Sequence, residues 1–217
     1  MSKKPTPFIV IEALDAGGSQ TQTDLLAGRL KQAKKQVLQL HFPQEDRATG
    51  RIIYDKFLLY KNKRPFSPRE QALLYIQDFF SRKEDIMTAL ERGQVVVSDR
   101  FCTSTVAYQT MGLTGSAWQK MYDWIWWLCF EGQPALPQPA AVIFLDTPVA
   151  VSLTRLKGKK KDYFESKEKL TRIRNGYLKV AKKQRWQVVL SVAADGRERT
   201  REEVHEEIWQ LVAPLVR

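Results

Sequence analysis

Five short apolar runs that do not alternate with polar residues constrain the fold of this 217-residue chain more than any other feature. Strands with both faces buried have this composition, as in a parallel sheet covered by helices. Longer amphipathic stretches separate the runs and predict helices. Strands that alternate with helices in this way indicate an α/β fold with right-handed crossovers. The predicted strands are 8–11, 37–40, 95–97, 141–145 and 188–190.

The length of the chain favours one domain over residues 1–217, because it can bury one full core but is short for two. The final helix has the clearest start, since Thr200 and Glu203 form a capping-box pattern. Two segments interrupt the alternation of strands and helices. One is a polar, proline-containing stretch at 42–68, with a short helix predicted around 52–59, and the other is a basic stretch at 157–162. Lids and binding loops often lie in such insertions.

The composition limits the compartment and the partners. No apolar run approaches the ~18 residues that a membrane span needs, and Cys102 and Cys129 make neither a disulfide framework nor a metal cluster. We therefore expect a cytoplasmic protein. The net charge of +11 favours polyanionic partners such as nucleotides, nucleic acid or acidic membranes, although a solvated basic surface gives the same total. A nucleic-acid-binding domain is the weakest of these readings, because no recognition motif is present.

A glycine-rich turn separates the first predicted strand from a helix. This order is that of a phosphate-binding loop, in which backbone N–H groups and a helix N-terminus hold phosphates. The full motif G-x-x-x-x-G-K-[ST] is not present. Aligned on Gly18, Ala13 replaces the first glycine, Ser19 replaces the lysine and Gln20 replaces the magnesium-binding hydroxyl. The turn by itself is more typical of an ordinary glycine turn before a helix than of a phosphate loop.

Matches to one family run along residues 8 to 210 in the order of its motifs. The opening Glu12-x-Leu14-Asp15-x-x-Gly18-x-x-Thr21-Gln22-Thr23 resembles E-G-L-D-G-A-G-K-S-T-Q-T. The most specific match, to D-R-[YFH]…S-[ST]-x-A-Y-Q, is Asp99-Arg100-Phe101 followed by Ser104-Thr105-Val106-Ala107-Tyr108-Gln109. Further matches are Phe42-Pro43, Leu73-Leu74-Tyr75, Leu145-Asp146-x-Pro148, Asp162-Tyr163-Phe164-Glu165 and Gly176-Tyr177-Leu178. The chain is thus similar to the thymidylate kinases, a family of P-loop nucleoside-monophosphate kinases.

The resemblance implies a three-layer P-loop NTPase fold, with a central five-stranded parallel sheet flanked by helices and a lid at about 155–166. It also implies phosphoryl transfer from ATP to thymidine monophosphate, with Mg²⁺ as the metal. The expected partners are these nucleotides and a second copy of the chain, with the apolar stretch 124–130 as a candidate dimer contact. Neither nucleic acid nor a membrane is expected as a partner.

Phosphoryl transfer requires several cations and hydrogen-bond donors around two anionic phosphates, and the resemblance assigns these roles to particular residues. The predicted catalytic residues are Asp15, Arg100 and Arg155. The predicted donor-nucleotide site comprises Gly17, Gly18, Ser19, Gln20, Thr21, Lys159 and Lys160. The predicted acceptor site comprises Phe42, Tyr75, Arg100, Thr105, Tyr108 and Gln109. The predicted metal ligands are Asp15 and Asp99.

Each of these assignments has a structural alternative. Arg100 could only pair with the adjacent Asp99, and Asp15 could cap the helix that follows the glycine turn. The polar residues of the acceptor site on the helix after Arg100 could form a solvent-facing stripe. The lysine run at 157–161 could be a solvated loop.

The departures from the family pattern lie at the expected chemistry. Besides Ser19, Phe79 stands where many members have an arginine that reads the thymine ring. Glu45 or Asp46 stands where some have an arginine after Phe-Pro, although Arg47 could reach the same space. A charge-assisted hydrogen bond contributes roughly 1.5–3 kcal/mol, so the missing lysine predicts catalysis weakened by about ten- to a hundred-fold unless another cation substitutes.

The candidate substitutes for the lysine are Arg155, Lys157, Lys159, Lys160 and Lys161. Two rival functions follow from the same departures. The first is a pseudokinase that binds nucleotides without transferring phosphate. The second is a related kinase with a different acceptor base.

Overall fold

A computed structural model describes residues 7–59, 66–158 and 162–216 of the chain. Its centre is a five-stranded parallel sheet with strand order β2-β3-β1-β4-β5, which confirms the predicted fold class. Each strand covers one of the five apolar runs. The strands are β1 (Phe8–Ala13), β2 (Val37–His41), β3 (Val95–Asp99), β4 (Ala141–Asp146) and β5 (Gln187–Leu190).

Helices connect the strands and cover both faces of the sheet. They are α1 (Ser19–Gln32), α2 (Ala48–Ile53), α3 (Pro68–Phe80), α4 (Lys83–Glu91), α5 (Cys102–Gln109), α6 (Gly115–Trp126), α7 (Val149–Leu156), α8 (Lys167–Gln184) and α9 (Arg201–Val212). Two π-helical turns, Tyr54–Leu58 and Trp127–Glu131, continue α2 and α6, and a 3₁₀ turn, Ala213–Leu215, follows α9. The helix predicted around 52–59 therefore begins earlier, at Ala48. In the described ranges, no helix is long and apolar enough to span a membrane.

The two faces of β1 explain why its sequence shows no polar alternation. Phe8 and Val10 pack into a core with α3, α5 and α6, whereas Ile9 and Ile11 pack on the opposite face against α1 and α9. Successive side chains of a strand point to opposite faces, so a strand covered on both sides must be apolar throughout. Glu12 breaks this run and is nevertheless fully buried.

Local sequence fixes the start of two helices near the site. Thr200 and Glu203 form the predicted capping box at α9, and Ser67 and Glu70 form another at α3. Such reciprocal caps satisfy backbone N–H groups that have no partner inside the helix. They fix where α3 and α9 begin relative to the carboxyl edge of the sheet.

Candidate active site

Two adjoining cavities lie at the carboxyl edge of the sheet, where ligands of open α/β sheets bind. The loop cavity, of about 520 Å³, is lined by the glycine turn, by the ends of β3 and β4 and by the start of α9. The aromatic cavity, of about 190 Å³, is lined by residues of α3 and α5 and by the segment after β2. Asp15, His41 and Arg100 line both cavities, so they stand at the junction between them.

The glycine turn leaves the first N–H groups of α1 available to a ligand. The N-cap residue Gly18 has a φ of 102°, and no side chain of a described residue caps the helix. A Cβ on Gly17 would lie 2.8 Å from the Leu14 carbonyl oxygen, so only glycine fits there. Uncapped N–H groups and the positive end of the helix dipole together favour an anion at this position. Asp15 does not cap α1, so the alternative role given to it is wrong.

Side chains from the loop after β4 and from α7 hold the turn by its carbonyl groups. Thr147 donates a hydrogen bond to the Gly17 carbonyl at 3.1 Å, and Ser152 donates one to the Asp15 carbonyl. Arg155 donates to the Ala16 carbonyl at 3.2 Å and forms an ion pair with Glu198 at 2.8 Å. These bonds fix the peptide groups of the turn.

The start of α1 carries the departures from the P-loop pattern. Ser19 is buried, Gln20 is exposed and donates to Asp24 at 3.4 Å, and Thr21 is half-buried. All three line the loop cavity together with both glycines of the turn. No lysine lines this cavity within the described ranges. The predicted donor-site residues of the turn are therefore brought together without the usual cation.

Arg100 follows β3 and extends its guanidinium into the junction. It has a φ of 63°, unusual for a residue other than glycine. Its Nη2 forms an ion pair with Asp15 at 2.7 Å, and its Nη1 donates to the hydroxyls of Tyr108 at 2.8 Å and Tyr177 at 3.4 Å. Desolvation alone would lower the pKa of Arg100, but the neighbouring Tyr108, Tyr177 and Asp15 raise it above its usual range. Arg100 is therefore a permanent cation whose ion pair is with Asp15 and not with Asp99.

Asp99 ends β3 and presents a carboxylate oxygen that has no hydrogen-bond partner among the described residues. The residue is buried, and its Oδ2 lies 2.7 Å from Nδ1 of His41. Its Oδ1 and the Oδ2 of Asp15 are buried and have no hydrogen-bond partner in the described part of the chain. Carboxylate oxygens suit Mg²⁺, which usually keeps several waters and takes few protein ligands in nucleotide sites. The two aspartates therefore fit a metal held largely by phosphates and water.

The aromatic cavity combines ring faces with unpartnered polar atoms. Phe42, Tyr75 and Tyr108 line it together with Thr105 and Gln109. The Oγ1 of Thr105 and the Nε2 of Gln109 are buried without a hydrogen-bond partner within the described ranges. Because Thr105, Tyr108 and Gln109 are all buried, the solvent-facing alternative is wrong. Flat apolar walls with a few free polar groups are typical of a pocket for a planar heterocycle.

Phe79, for which the resemblance implied a departure from a base-reading arginine, lines the aromatic cavity. Its ring is buried against Phe42 at 4.8 Å and Phe101 at 5.3 Å between centroids. Arg47 does not line the cavity, since its guanidinium lies 3.5 Å from Asp85. Whether Arg47 takes the place of the family's arginine after Phe-Pro stays a prediction. Among the described residues, Arg100 is the one arginine or lysine that lines the cavity.

The structure covers the predicted lid in part. Arg155 lies in α7, and the exposed Lys157 follows that helix. Lys159, Lys160 and Lys161, which were predicted to face the donor phosphates, lie outside the described residues. Asp162 lines the aromatic cavity beyond them. Burial and the neighbouring charge of Asp15 raise the pKa of Asp162 above its usual range.

A buried carboxyl group behind Arg100 was not predicted as a functional residue. Glu12 accepts hydrogen bonds from the Phe101 N–H at 3.2 Å, from the Tyr177 hydroxyl at 3.1 Å and from the Thr103 hydroxyl. Burial raises its pKa to about 7. Since Tyr177 also contacts Arg100, Glu12 helps to position the guanidinium. A glutamate inside an apolar strand was the signal in the sequence.

The fold and the site together define a P-loop α/β protein with a second pocket beside its phosphate loop. The family model for thymidylate kinase matches residues 11–208. A probable thymidylate kinase of Pyrococcus abyssi is 32% identical over 212 residues, which cover 94% of this chain and 95% of that protein. A thymidylate kinase of Fervidobacterium nodosum is 30% identical over 214 residues, which cover 93% and 95%. The chain belongs to the thymidylate kinase family.

Solved structures of low sequence identity share the fold. A thymidylate kinase structure from Candida albicans matches with a TM-score of 0.78 at 20% identity, covering 97% of this chain and 92% of that one. A second, from Ehrlichia chaffeensis, matches with a TM-score of 0.67 at 20% identity, covering 95% and 98%. The P-loop NTPase fold predicted from the sequence is therefore confirmed.

Proposed function

We propose that the chain transfers the terminal phosphate of ATP to thymidine monophosphate, with Mg²⁺ as the metal. The observation that carries this proposal is the position of Arg100 and Asp15, which line both cavities at once. A donor bound on the glycine turn and an acceptor bound in the aromatic cavity would bring their phosphates together at this junction. In-line transfer needs this placement of the two anions.

The chain's own groups supply most of the positioning. Backbone N–H groups of the turn and the N-terminus of α1 bind the donor phosphates, and the fork of Arg100 binds the acceptor phosphate. Asp99 and Asp15 would hold the metal directly or through water. Mg²⁺ supplies charge neutralisation on the phosphate oxygens. Tyr108, Tyr177 and Glu12 keep the guanidinium of Arg100 in place.

Recognition of the acceptor base requires residues other than Phe79, because a phenyl ring cannot hydrogen-bond to a carbonyl oxygen of the base. We assign recognition of the thymine edge to Thr105 and Gln109, whose unpartnered polar atoms line the aromatic cavity. The Gln109 side chain carries both a donor and an acceptor and can match more than one base. This favours an acceptor range wider than thymidine monophosphate.

The proposal is tested by incubating the protein with ATP, Mg²⁺ and each of a panel of nucleoside monophosphates. ADP release is measured through a coupled reporter reaction. We expect turnover with thymidine monophosphate above every ribonucleotide. A different preferred monophosphate would establish the related-kinase alternative. Binding of ATP and thymidine monophosphate without turnover would establish the pseudokinase, which the replacement of lysine by Ser19 favours.

The remaining sequence predictions concern organisation. We propose one kinase domain over residues 1–217 and a homodimer formed through the stretch 124–130, where Trp127 is 53% exposed. An exposed tryptophan on an apolar helix face fits a subunit contact. Trp127→Glu should convert a dimer to a monomer in light scattering. An unchanged mass would place the contact elsewhere. Location in the cytoplasm stays a prediction.

A further inference from the structure

Among the described residues, one arginine that lines the loop cavity has a guanidinium with no partner. Arginine side chains lining the cavity come from four positions within the described ranges. Three of them are paired: Arg100 with Asp15 at 2.7 Å, Arg155 with Glu198 at 2.8 Å and Arg199 with Glu207 at 2.6 Å. The fourth, Arg201, has no ion pair or side-chain hydrogen bond with any described residue. Its positive charge is therefore free to meet an anion.

A hydrogen bond connects Arg201 to α1, the helix that follows the glycine turn. It is the first residue of α9, directly after the cap Thr200. Its backbone carbonyl accepts a hydrogen bond at 2.9 Å from Nε2 of Gln22, which lies at the start of α1. The backbone of Arg201 is thus held beside the segment whose N–H groups face the donor phosphates. A long, flexible side chain from this position can turn into the cavity that it lines.

The same wall of the cavity carries buried polar atoms that lack partners. The Oε1 of Gln22 and the Oγ of Ser191 are both in this state within the described part of the chain. Their residues are 3% and 6% exposed, and both line the loop cavity. Buried polar groups are normally hydrogen-bonded, so two free ones beside a free arginine indicate a wall built to meet a polar ligand.

We propose that Arg201 contacts the phosphates of the donor nucleotide and supplies the charge that Ser19 does not. The assignment rests on the proposed function, because it takes the loop cavity as the donor site. A guanidinium binds phosphate oxygens through paired N–H donors. The compensation then comes from α9, on the wall facing α1, and does not require the lysines of the lid.

Arg201→Ala tests this assignment by direct binding of adenylyl imidodiphosphate, an ATP analogue that is not hydrolysed. We expect its affinity to fall by about ten- to a hundred-fold, the range for one charge-assisted contact. Arg201→Lys should recover part of the loss. Affinity for thymidine monophosphate should not change. The matched control is Arg92→Ala, which removes an exposed arginine that lines neither cavity.

Repeating the Arg201→Ala change in a Ser19→Lys protein separates a direct contact with the phosphates from an indirect effect on the site. In a Ser19→Lys protein the loop has its own cation, so Arg201→Ala should lower analogue affinity much less than it does in the parent. Adenosine monophosphate, which lacks the outer phosphates, should lose little affinity in Arg201→Ala. An equal loss for the monophosphate, or an unchanged analogue affinity, would overturn the assignment.

The affinity for adenylyl imidodiphosphate can show the Arg201 contact even if the proposed kinase function is wrong. If the parent binds the analogue through Arg201 but never phosphorylates a monophosphate, the kinase proposal fails and the contact stands. If the parent does not bind the analogue at all, both are wrong. A normal melting temperature for each variant shows that the fold is intact.

Discussion

Arg100→Ala removes the cation at the junction of the two cavities and should abolish most turnover. In the structure the guanidinium is only 16% exposed and is held by Asp15 at 2.7 Å and Tyr108 at 2.8 Å. A group fixed in this way can give two charge-assisted hydrogen bonds to a phosphate. At roughly 1.5–3 kcal/mol each, their loss amounts to about 3–6 kcal/mol. The expected fall in kcat/KM for thymidine monophosphate is about 10²- to 10⁴-fold.

The assay varies thymidine monophosphate at saturating ATP, with affinity for the ATP analogue measured separately. The KM for the monophosphate should rise and kcat should fall, while analogue affinity stays nearly constant. Arg100→Lys keeps the positive charge but cannot form the bidentate hydrogen bonds of a guanidinium, so its fall in kcat/KM should be intermediate. Arg82→Ala is the matched control, because Arg82 is also 16% exposed and ion-paired, with Asp85 at 2.9 Å, but lines neither cavity. An unchanged KM in Arg100→Ala would show that Arg100 does not bind the acceptor phosphate and is a structural residue.

Three further predictions concern the aromatic cavity and the core behind it. Tyr75→Ala should weaken binding of thymidine monophosphate by ~1–3 kcal/mol in calorimetry, the range for base stacking on an aromatic ring, whereas indifference to the change would place the base elsewhere. Burial raises the pKa of Glu12 from 4.5 to about 7. Protonated Glu12 therefore contributes its full share to the free energy of unfolding below about pH 4.5, and this contribution is lost as the pH rises to about 7. Glu12→Gln cannot titrate and should flatten the fall in Tm between pH 5 and pH 8, a contribution of about 3 kcal/mol; an unchanged slope would assign that fall to other groups. A Cβ on Gly176 would lie 2.7 Å from the Ala107 carbonyl oxygen, so Gly176→Ala should lower the free energy of unfolding by about 1–3 kcal/mol in denaturant titrations. Gly28→Ala is its control, since nothing lies within 4 Å of a Cβ at that helical position, and an equal effect of the two changes would contradict the packing argument.

Local sequence patterns were sufficient to predict the sheet. A strand buried on both faces must be apolar throughout, so the five runs located β1 to β5. The start of α9 was equally predictable, because a capping box is formed by residues three apart. Boundaries were less predictable where backbone geometry changes within one segment, as in the π-helical turn Tyr54–Leu58 after α2.

The partners of the site residues could not be predicted, because they come from distant parts of the chain. Tyr177 meets Glu12 across 165 positions, and Arg201 approaches α1 through Gln22 across 179. A short stretch of sequence contains no pattern that indicates contacts between residues so far apart. Periodicity also fails on α5, since polar residues one turn apart look the same whether they face water or a cavity. Only tertiary packing buries Thr105 and Gln109.

The proposed function requires the chain to transfer phosphate although its loop has Ser19 in place of lysine. Single-turnover transfer tests it most directly, with excess enzyme, ATP labelled in the γ-phosphate and unlabelled thymidine monophosphate. Excess enzyme makes even a slow reaction visible. We predict label in thymidine diphosphate, dependent on Mg²⁺ and lost in Arg100→Ala. If the label stays in ATP while both nucleotides are shown to be bound, the proposed kinase activity is wrong and the protein is a pseudokinase.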